Sequence, residues 1–192
     1  MSGAKQFDPQ EALDKATELF RRKGFAATSM QDIVDELGVG RGSLYQTFGN
    51  KQALYIAALN NYKLQRYQRF HELFGDAPSA KEGIRKILSY LVTGLGRNGC
   101  LVSNTILERA IHDPESEAEA THAVEHNIEM LTMLLQQAQE EGDFPTERDP
   151  KRTARYLQTG MQGLNLMVII NPDQEQLQFI ADDLFLSLFP KG

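Results

Sequence analysis

Tryptophan is absent from this 192-residue chain, and only one cysteine, Cys100, is present. A single thiol excludes an intrachain disulfide framework and fits a reducing, cytoplasmic setting. No apolar run approaches the roughly 18 residues needed to cross a bilayer, and the N-terminus lacks an apolar signal segment, so no membrane partner is expected. Positive charge is also in short supply. The formal net charge is −6, which argues against a general nucleic-acid coat protein. The deficit is uneven. Residues 1–51 carry seven basic and seven acidic side chains, whereas the remainder carries 13 basic against 19 acidic. A hydrophobic share of 41% is ample for helical domains with a real core.

The most informative stretch in the chain runs from Thr28 to Lys51, TSMQDIVDELGVGRGSLYQTFGNK. Thr28 or Ser29 can cap a first helix, with Asp32 at capping-box spacing from Ser29. Met30, Ile33, Val34 and Leu37 form its apolar stripe, and Gly38 ends it by accepting a left-handed backbone. A second helix, Arg41 to Phe48, turns Leu44 and Phe48 inward. Arg41 with Tyr45, Gly42 with Gln46 and Ser43 with Thr47 are one-turn pairs facing out. This face is polar and nearly free of apolar surface, as suits a helix-turn-helix whose second helix enters the major groove of double-stranded DNA. Arg41 can reach guanine or a phosphate, and Gln46 an adenine edge. Ser43, Thr47 and the Tyr45 hydroxyl suit phosphates, and Gly42 permits close backbone approach. Asn50 is placed to cap the next helix. Lys51 then falls in that helix's first turn, where a cation opposes the dipole unless an anion sits nearby.

This ordered block resembles the helix-turn-helix of the tetracycline-repressor (TetR) family of bacterial regulators, on Thr28-Ser29, Gly38-Val39, Leu44-Tyr45, Phe48 and Lys51. Gly40 stands where a small hydroxyl cap is usual, and Gly49 where proline is common. The resemblance covers the first quarter of the chain. It implies a three-helix DNA-binding domain at residues 1–51 and a larger helical regulatory and dimerisation domain at 52–192. The helix from Asn50 would join them and transmit a signal by its tilt. A homodimer holding a palindromic operator, released by a small-molecule effector, is the implied mode of action.

Helical periodicity predicts an all-α chain of about nine helices. Asp8-Pro9-Gln10-Glu11 opens the first, and Gly24 stops it after Arg21, Arg22 and Lys23. The helix from Asn50 runs to about Leu73, with Lys63, Arg66 and Arg69 expected in solvent. Others are expected from Ser79 to about Arg97, Leu101 to Ile111, Glu115 to Glu141, Asp149 to Ile170, and from Pro172-Asp173 to Phe189. Within the last two, Gly160, Gly163, Leu164, Met167, Leu177, Ile180 and Leu184 are the candidate dimerisation residues, able to form half of a four-helix bundle. A self-contained core is the alternative. Because the N-terminal segment is electrically neutral, pairing two reading heads is expected for useful DNA affinity.

Cys100 is expected near a helix N-terminus, where amides can activate a thiol. The GCLVSNT stretch around it resembles that of regulators that sense electrophiles or oxidants; the alternative is a small buried hydrophobe. Met130, Met133 and Met161 fall on helices expected to enclose an effector cavity. His122 and His126, one turn apart with Glu119 and Glu129 nearby, could ligate a metal, though a third clear ligand is missing. No cofactor is expected. The run Gly38-Val39-Gly40-Arg41-Gly42 follows a helix and lacks Gly-Lys-Ser/Thr, and there is no serine elbow, so no enzyme is expected. The competing reading is an all-helical small-molecule binding protein or enzyme whose helix-turn-helix is vestigial.

Overall fold

In the computed structural model the described residues are 7–171 and 173–189. Among them there is no strand, and nine α-helices follow one another in sequence. The first is α1, Pro9–Lys23, capped by the Asp8 carboxylate accepting from the Gln10 amide. Two short helices follow, α2 (Met30–Leu37) and α3 (Arg41–Phe48). Then comes the long α4, Lys51–Gly75, with the Asn50 side chain accepting from the Ala53 amide. The body comprises α5 (Ala80–Thr93), α6 (Leu101–Glu108), α7 (Pro114–Glu140), α8 (Pro150–Ile170) and α9 (Gln174–Leu188). Pro172, expected to introduce the last helix, lies outside the described residues; Asp173 is its cap.

Two expected ends shift. The helix from Ser79 stops at Thr93, capped by Gly94, and a single 3-10 turn at Gly96–Asn98 follows. Glycines at 94, 96 and 99 leave too little helix propensity to continue. The helix from Leu101 stops at Glu108 because Arg109 turns the chain, its carbonyl accepting from the His112 and Asp113 amides.

Helix α5 lies at the centre of the body, against α4, α7, α8 and α9, with Ile84, Ile87, Leu88, Leu91 and Val92 all buried. Helix α4 is shared. Its beginning packs on α1 through Leu54, Ala58 and Leu59, and its later turns lie against α5 and α7. Lys63 and Arg66, expected in solvent, are therefore each only 7% exposed. Lys63 forms an ion pair with Glu119 of α7, while Arg66 turns toward Cys100. Arg69 stays exposed, as expected.

Helices α1 to α3 and the body meet at an aromatic cluster. The Tyr55 ring packs edge-on against Phe20 at 5.0 Å and Phe25 at 5.1 Å. Such pairs contribute about 0.5–1.5 kcal/mol each beyond the area they bury. The Tyr55 hydroxyl, its pKa pushed up to about 12 by burial, shares a 2.8 Å hydrogen bond with the Thr105 hydroxyl of α6. Thr105 also donates to the Leu101 carbonyl, so it keeps a partner when the phenol is removed. Tyr55→Phe should therefore lower stability by only about 1 kcal/mol in urea unfolding at fixed protein concentration. A loss several times larger would show that the hydroxyl holds the two units together.

Candidate nucleic-acid interface

The local sequence builds the reading unit in three steps. Ser29 and Asp32 form a complete capping box, each side chain bonded to the other's backbone amide. Hydrogen bonds from Lys23 and Ser29 hold the Asp32 carboxyl well below the usual carboxylate range. Gly38 then takes the left-handed conformation (φ 66°, ψ 24°) that reverses the chain, and Val39 is buried beneath the turn. Finally α3 anchors itself by one fully buried side chain, Leu44, with Phe48 packed against Phe7.

This seats the predicted face outward. Arg41, Gly42, Tyr45, Gln46 and Thr47 are exposed, and Ser43 is half-buried at the edge. Helix α3 begins at Gly40 with no side-chain cap, so the amides of its first turn have no internal side-chain acceptor. Ser29 sits exposed at the start of α2. Thr28 departs from expectation: it is 0% exposed, and its hydroxyl donates to the Gly24 carbonyl at 2.6 Å. It braces the loop between α1 and α2 and offers no side chain to a groove. Lys51 has a partner within the chain, its amino group lying 4.2 Å from the centre of the Phe25 ring. Burial pulls its pKa down, opposed by the Glu108 carboxylate. The basic end of α1 is likewise engaged, with Arg22 paired to Glu36 and Lys23 to Asp32, both at 2.8 Å. Arg41 is thus the cation on the α3 face left without an internal ion pair among the described residues.

Helix α6 ties this unit to the body. The Glu108 carboxylate accepts from the Phe25 and Ala26 amides at 2.9 and 2.6 Å. Arg109 lies 3.7 Å over the Phe25 ring and is ion-paired to Asp113 at 3.1 Å. Arg21 donates to the Leu95 carbonyl at 3.1 Å. Neither Glu108 nor Arg109 stands out in the sequence, because Glu108 binds amides more than 80 positions away and Arg109, besides its local Asp113 pair, donates to Gln52, 57 positions away.

At the other end of α6 is Cys100, its N-cap, buried and 3.0 Å from the Arg66 guanidinium. Burial pushes the thiol up, but Arg66 and hydrogen bonds with Ser103 and Tyr62 outweigh it, leaving the thiol below its ordinary value. Met161 lines the small cavity beside Cys100, whereas Met130 of α7 is half-buried and not among the residues lining it. Met133, expected to enclose an effector, is 62% exposed; its place on α7 points it away from the core. His122 and His126 are exposed, with the His126 ring 4.2 Å from that of Tyr67.

The candidate dimerisation residues divide. Leu164 and Leu177 are buried within the protomer. Gly160 serves an internal contact, since a side chain there would meet Leu184 of α9 at 2.6 Å. Gly163, Met167 and Ile180 are exposed, and they lie with Tyr156, Ile170 and Phe179 on the outer sides of α8 and α9.

Known proteins match along the chain. Residues 12–58 match the N-terminal model for bacterial regulatory proteins of the tetR family, and residues 82–183 match a tetracyclin repressor-like C-terminal domain. The HTH-type transcriptional regulator YezE of Bacillus subtilis is 30% identical over 95% of this chain and 96% of its own. The HTH-type transcriptional repressor ComR of Escherichia coli is 30% identical over 97% of this chain and 91% of its own. Among solved structures, a cysteine mutant of the TetR family regulator CifR, complexed with 26bp double-strand operator DNA, superposes with a TM-score of 0.82. It is 25% identical and covers 94% of this chain and 97% of its own. Over nearly its whole length, in sequence and in architecture, this chain belongs to the TetR family of bacterial regulatory proteins.

Proposed function

We propose that the protein is a homodimeric repressor that holds a pseudo-palindromic DNA operator and releases it when an effector binds the helical body. The observation that carries this reading is the polar α3 face, Arg41, Tyr45, Gln46 and Thr47, standing exposed on a helix anchored by Leu44. Placed in a major groove, Arg41 and Gln46 face base edges, while Tyr45, Thr47, Ser43 and Ser29 face phosphates. The uncapped first-turn amides of α3 add phosphate ligands, and Lys51 supplies a further cation at the start of α4. The relatives support the same reading, since ComR is named a repressor and the CifR mutant is complexed with operator DNA.

We divide the chain at residue 51, with residues 1–51 reading DNA and 52–192 sensing and pairing, and place the protein in the cytoplasm. Among the described residues no helix is long and apolar enough to cross a membrane. Two observations support pairing. The reading unit has little net positive charge, so one copy has few cations for phosphates. The outer faces of α8 and α9 expose Gly163, Met167, Ile170, Phe179 and Ile180, apolar surface that a second copy would bury in a four-helix bundle. Displacement of α6 by an effector would move Glu108 and Arg109, and with them the Phe25 loop and the heads.

A thiol-reactive signal is a second reading of the effector, favoured by the guanidinium beside Cys100. If it holds, N-ethylmaleimide should release operator from the wild type but not from Cys100→Ser; equal responses exclude it.

In a gel-shift with an operator selected by the wild type, Tyr45→Ala should weaken retention about tenfold while leaving the dimer intact. Arg41→Ala should lower the salt dependence of binding by about one counterion. Undiminished retention with both would remove the face from the site. Ile180→Asp should shift sedimentation to the monomer and weaken operator binding at least about tenfold, since a single head keeps half the phosphate contacts. A dimeric Ile180→Asp would place the subunit interface elsewhere.

A further inference from the structure

On the outer side of the body a groove of about 140 Å³ runs between Ser103, Ile106 and Leu107 of α6 and Gln162 and Leu166 of α8. Its polar groups are turned to one another. The Ser103 hydroxyl donates to Gln162 Oε1 at 2.7 Å, and the Asn165 amide donates to the same oxygen at 3.0 Å. What the groove offers outward is therefore apolar. Leu107 stands at its edge, 64% exposed.

The groove is continuous with the surface assigned to pairing. Helix α8 turns Leu166 into it and carries Gly163, Met167 and Ile170 exposed on the adjoining side. In a four-helix bundle each α8 lies between its own α9 and the α9 of the second copy. Gly160 marks the flank of its own α9, because a side chain there would meet Leu184. By helical count Gln162 and Leu166 fall on the other flank, the side left for the second copy.

Heights agree as well. Arg21 of α1 donates to the Leu95 and Gly99 carbonyls, and Gly99 lies against Ile169, so α8 ends toward the reading unit. Two heads that meet one duplex need a two-fold axis pointing at it, roughly along α8, and such an axis keeps every residue of the second copy at its own height. Helix α9 runs back along α8 with Leu184 opposite Gly160. Five residues back from Leu184 is Phe179, and five on from Gly160 is Asn165, between Gln162 and Leu166. Phe179 is 60% exposed and is the bulkiest exposed apolar side chain of α9. The charges are complementary too. Arg152 and Arg155 are exposed on α8 and Asp183 on α9, and none of them has an ion pair among the described residues.

We infer that the groove between α6 and α8 is the socket for the partner's Phe179, formed once on each side of the dimer. The ring closes over Leu107 and Leu166, and Arg155 faces the partner's Asp183. The assignment rests on the pairing of α8 and α9 proposed above and adds α6 to the interface. Because the last turn of α6 holds the Phe25 and Ala26 amides through Glu108, each reading unit is braced against the second copy through one short helix.

The test uses the full-length chain in a Cys100→Ser background, with Leu107→Cys and Phe179→Cys made singly and together and treated with o-phenylenedimaleimide. Sedimentation before treatment reads the dimer. The double variant should give a covalent dimer on a denaturing gel, and each single variant only monomer, since the two positions meet across the subunits alone. A dimeric double variant that does not cross-link overturns the socket, leaves the groove to another apolar occupant and leaves the α8–α9 pairing standing. A monomeric Cys100→Ser parent and wild type overturn both. A double-mutant cycle covers the case in which Phe179→Cys itself weakens the dimer. Phe179→Ala should raise the dimer dissociation constant at least about tenfold. Leu107→Ala should raise it about threefold in the wild type but add nothing to Phe179→Ala, because both remove the same contact. Independent losses overturn the socket.

Discussion

The structure depends most on the packing of three rings, Phe20 of α1, Phe25 of the following loop and Tyr55 of α4, closed over by the Arg109 guanidinium. The packing of α1 on α4 at Leu54, Ala58 and Leu59, and the Arg21 hydrogen bond to the Leu95 carbonyl, join the DNA-reading unit and the body alongside this cluster. On one side it fixes the loop that leads into α2, where Thr28 and the Ser29–Asp32 box set the approach to α3. On the other it meets α6 through Thr105, and Glu108 one turn later binds the loop's own amides. Aromatic packing is short-ranged and dense, so a shift of α6, if an effector caused one, would be passed on as a rigid displacement instead of being absorbed.

The polar machinery sits at the two ends of that junction. Outward, α3 presents hydroxyls, an amide and Arg41 on a face that needs no apolar burial of its own, because Leu44 and Val39 supply the anchor. Inward, α6 begins at Cys100 beside the buried Arg66 and ends at Glu108. Two turns of helix therefore separate the small cavity beside Cys100 from the Phe25 and Ala26 amides. A helix this short has few ways to bend, which suits it to carry a small movement from one end to the other.

Much of this was legible in the chain itself. Capping residues, glycine stops and apolar spacing locate α1, α2, α3, α7 and α8 closely, because those signals are local and act within one or two helical turns. The outward face of α3 follows from the same periodicity. Lys63 and Arg66 show where such reasoning ends. Their spacing on α4 fits a solvated stripe, but α7 and α6 cover that side, and nothing within a few residues announces a packing partner 34 or 56 positions away. Thr28 is a similar case, since a hydroxyl beside a helix start suits either a phosphate or the Gly24 carbonyl. In α8 the apolar run LNLMVII splits between the protomer's own core, Leu164 and Val168, and an exposed face, Met167, Ile169 and Ile170. Composition alone cannot separate the two, since both demand apolar side chains.

The central claim is that two copies of the α3 face, held at a fixed separation by paired α8 and α9 helices, read one stretch of duplex DNA. Selection of bound fragments from a random duplex pool by the wild-type protein tests it most directly. The account predicts enrichment of a pseudo-palindrome whose half-sites lie about 10 base pairs apart, or a multiple of that spacing, to match successive turns of the double helix. Recovery of a lone half-site, or no enrichment at all, would contradict it.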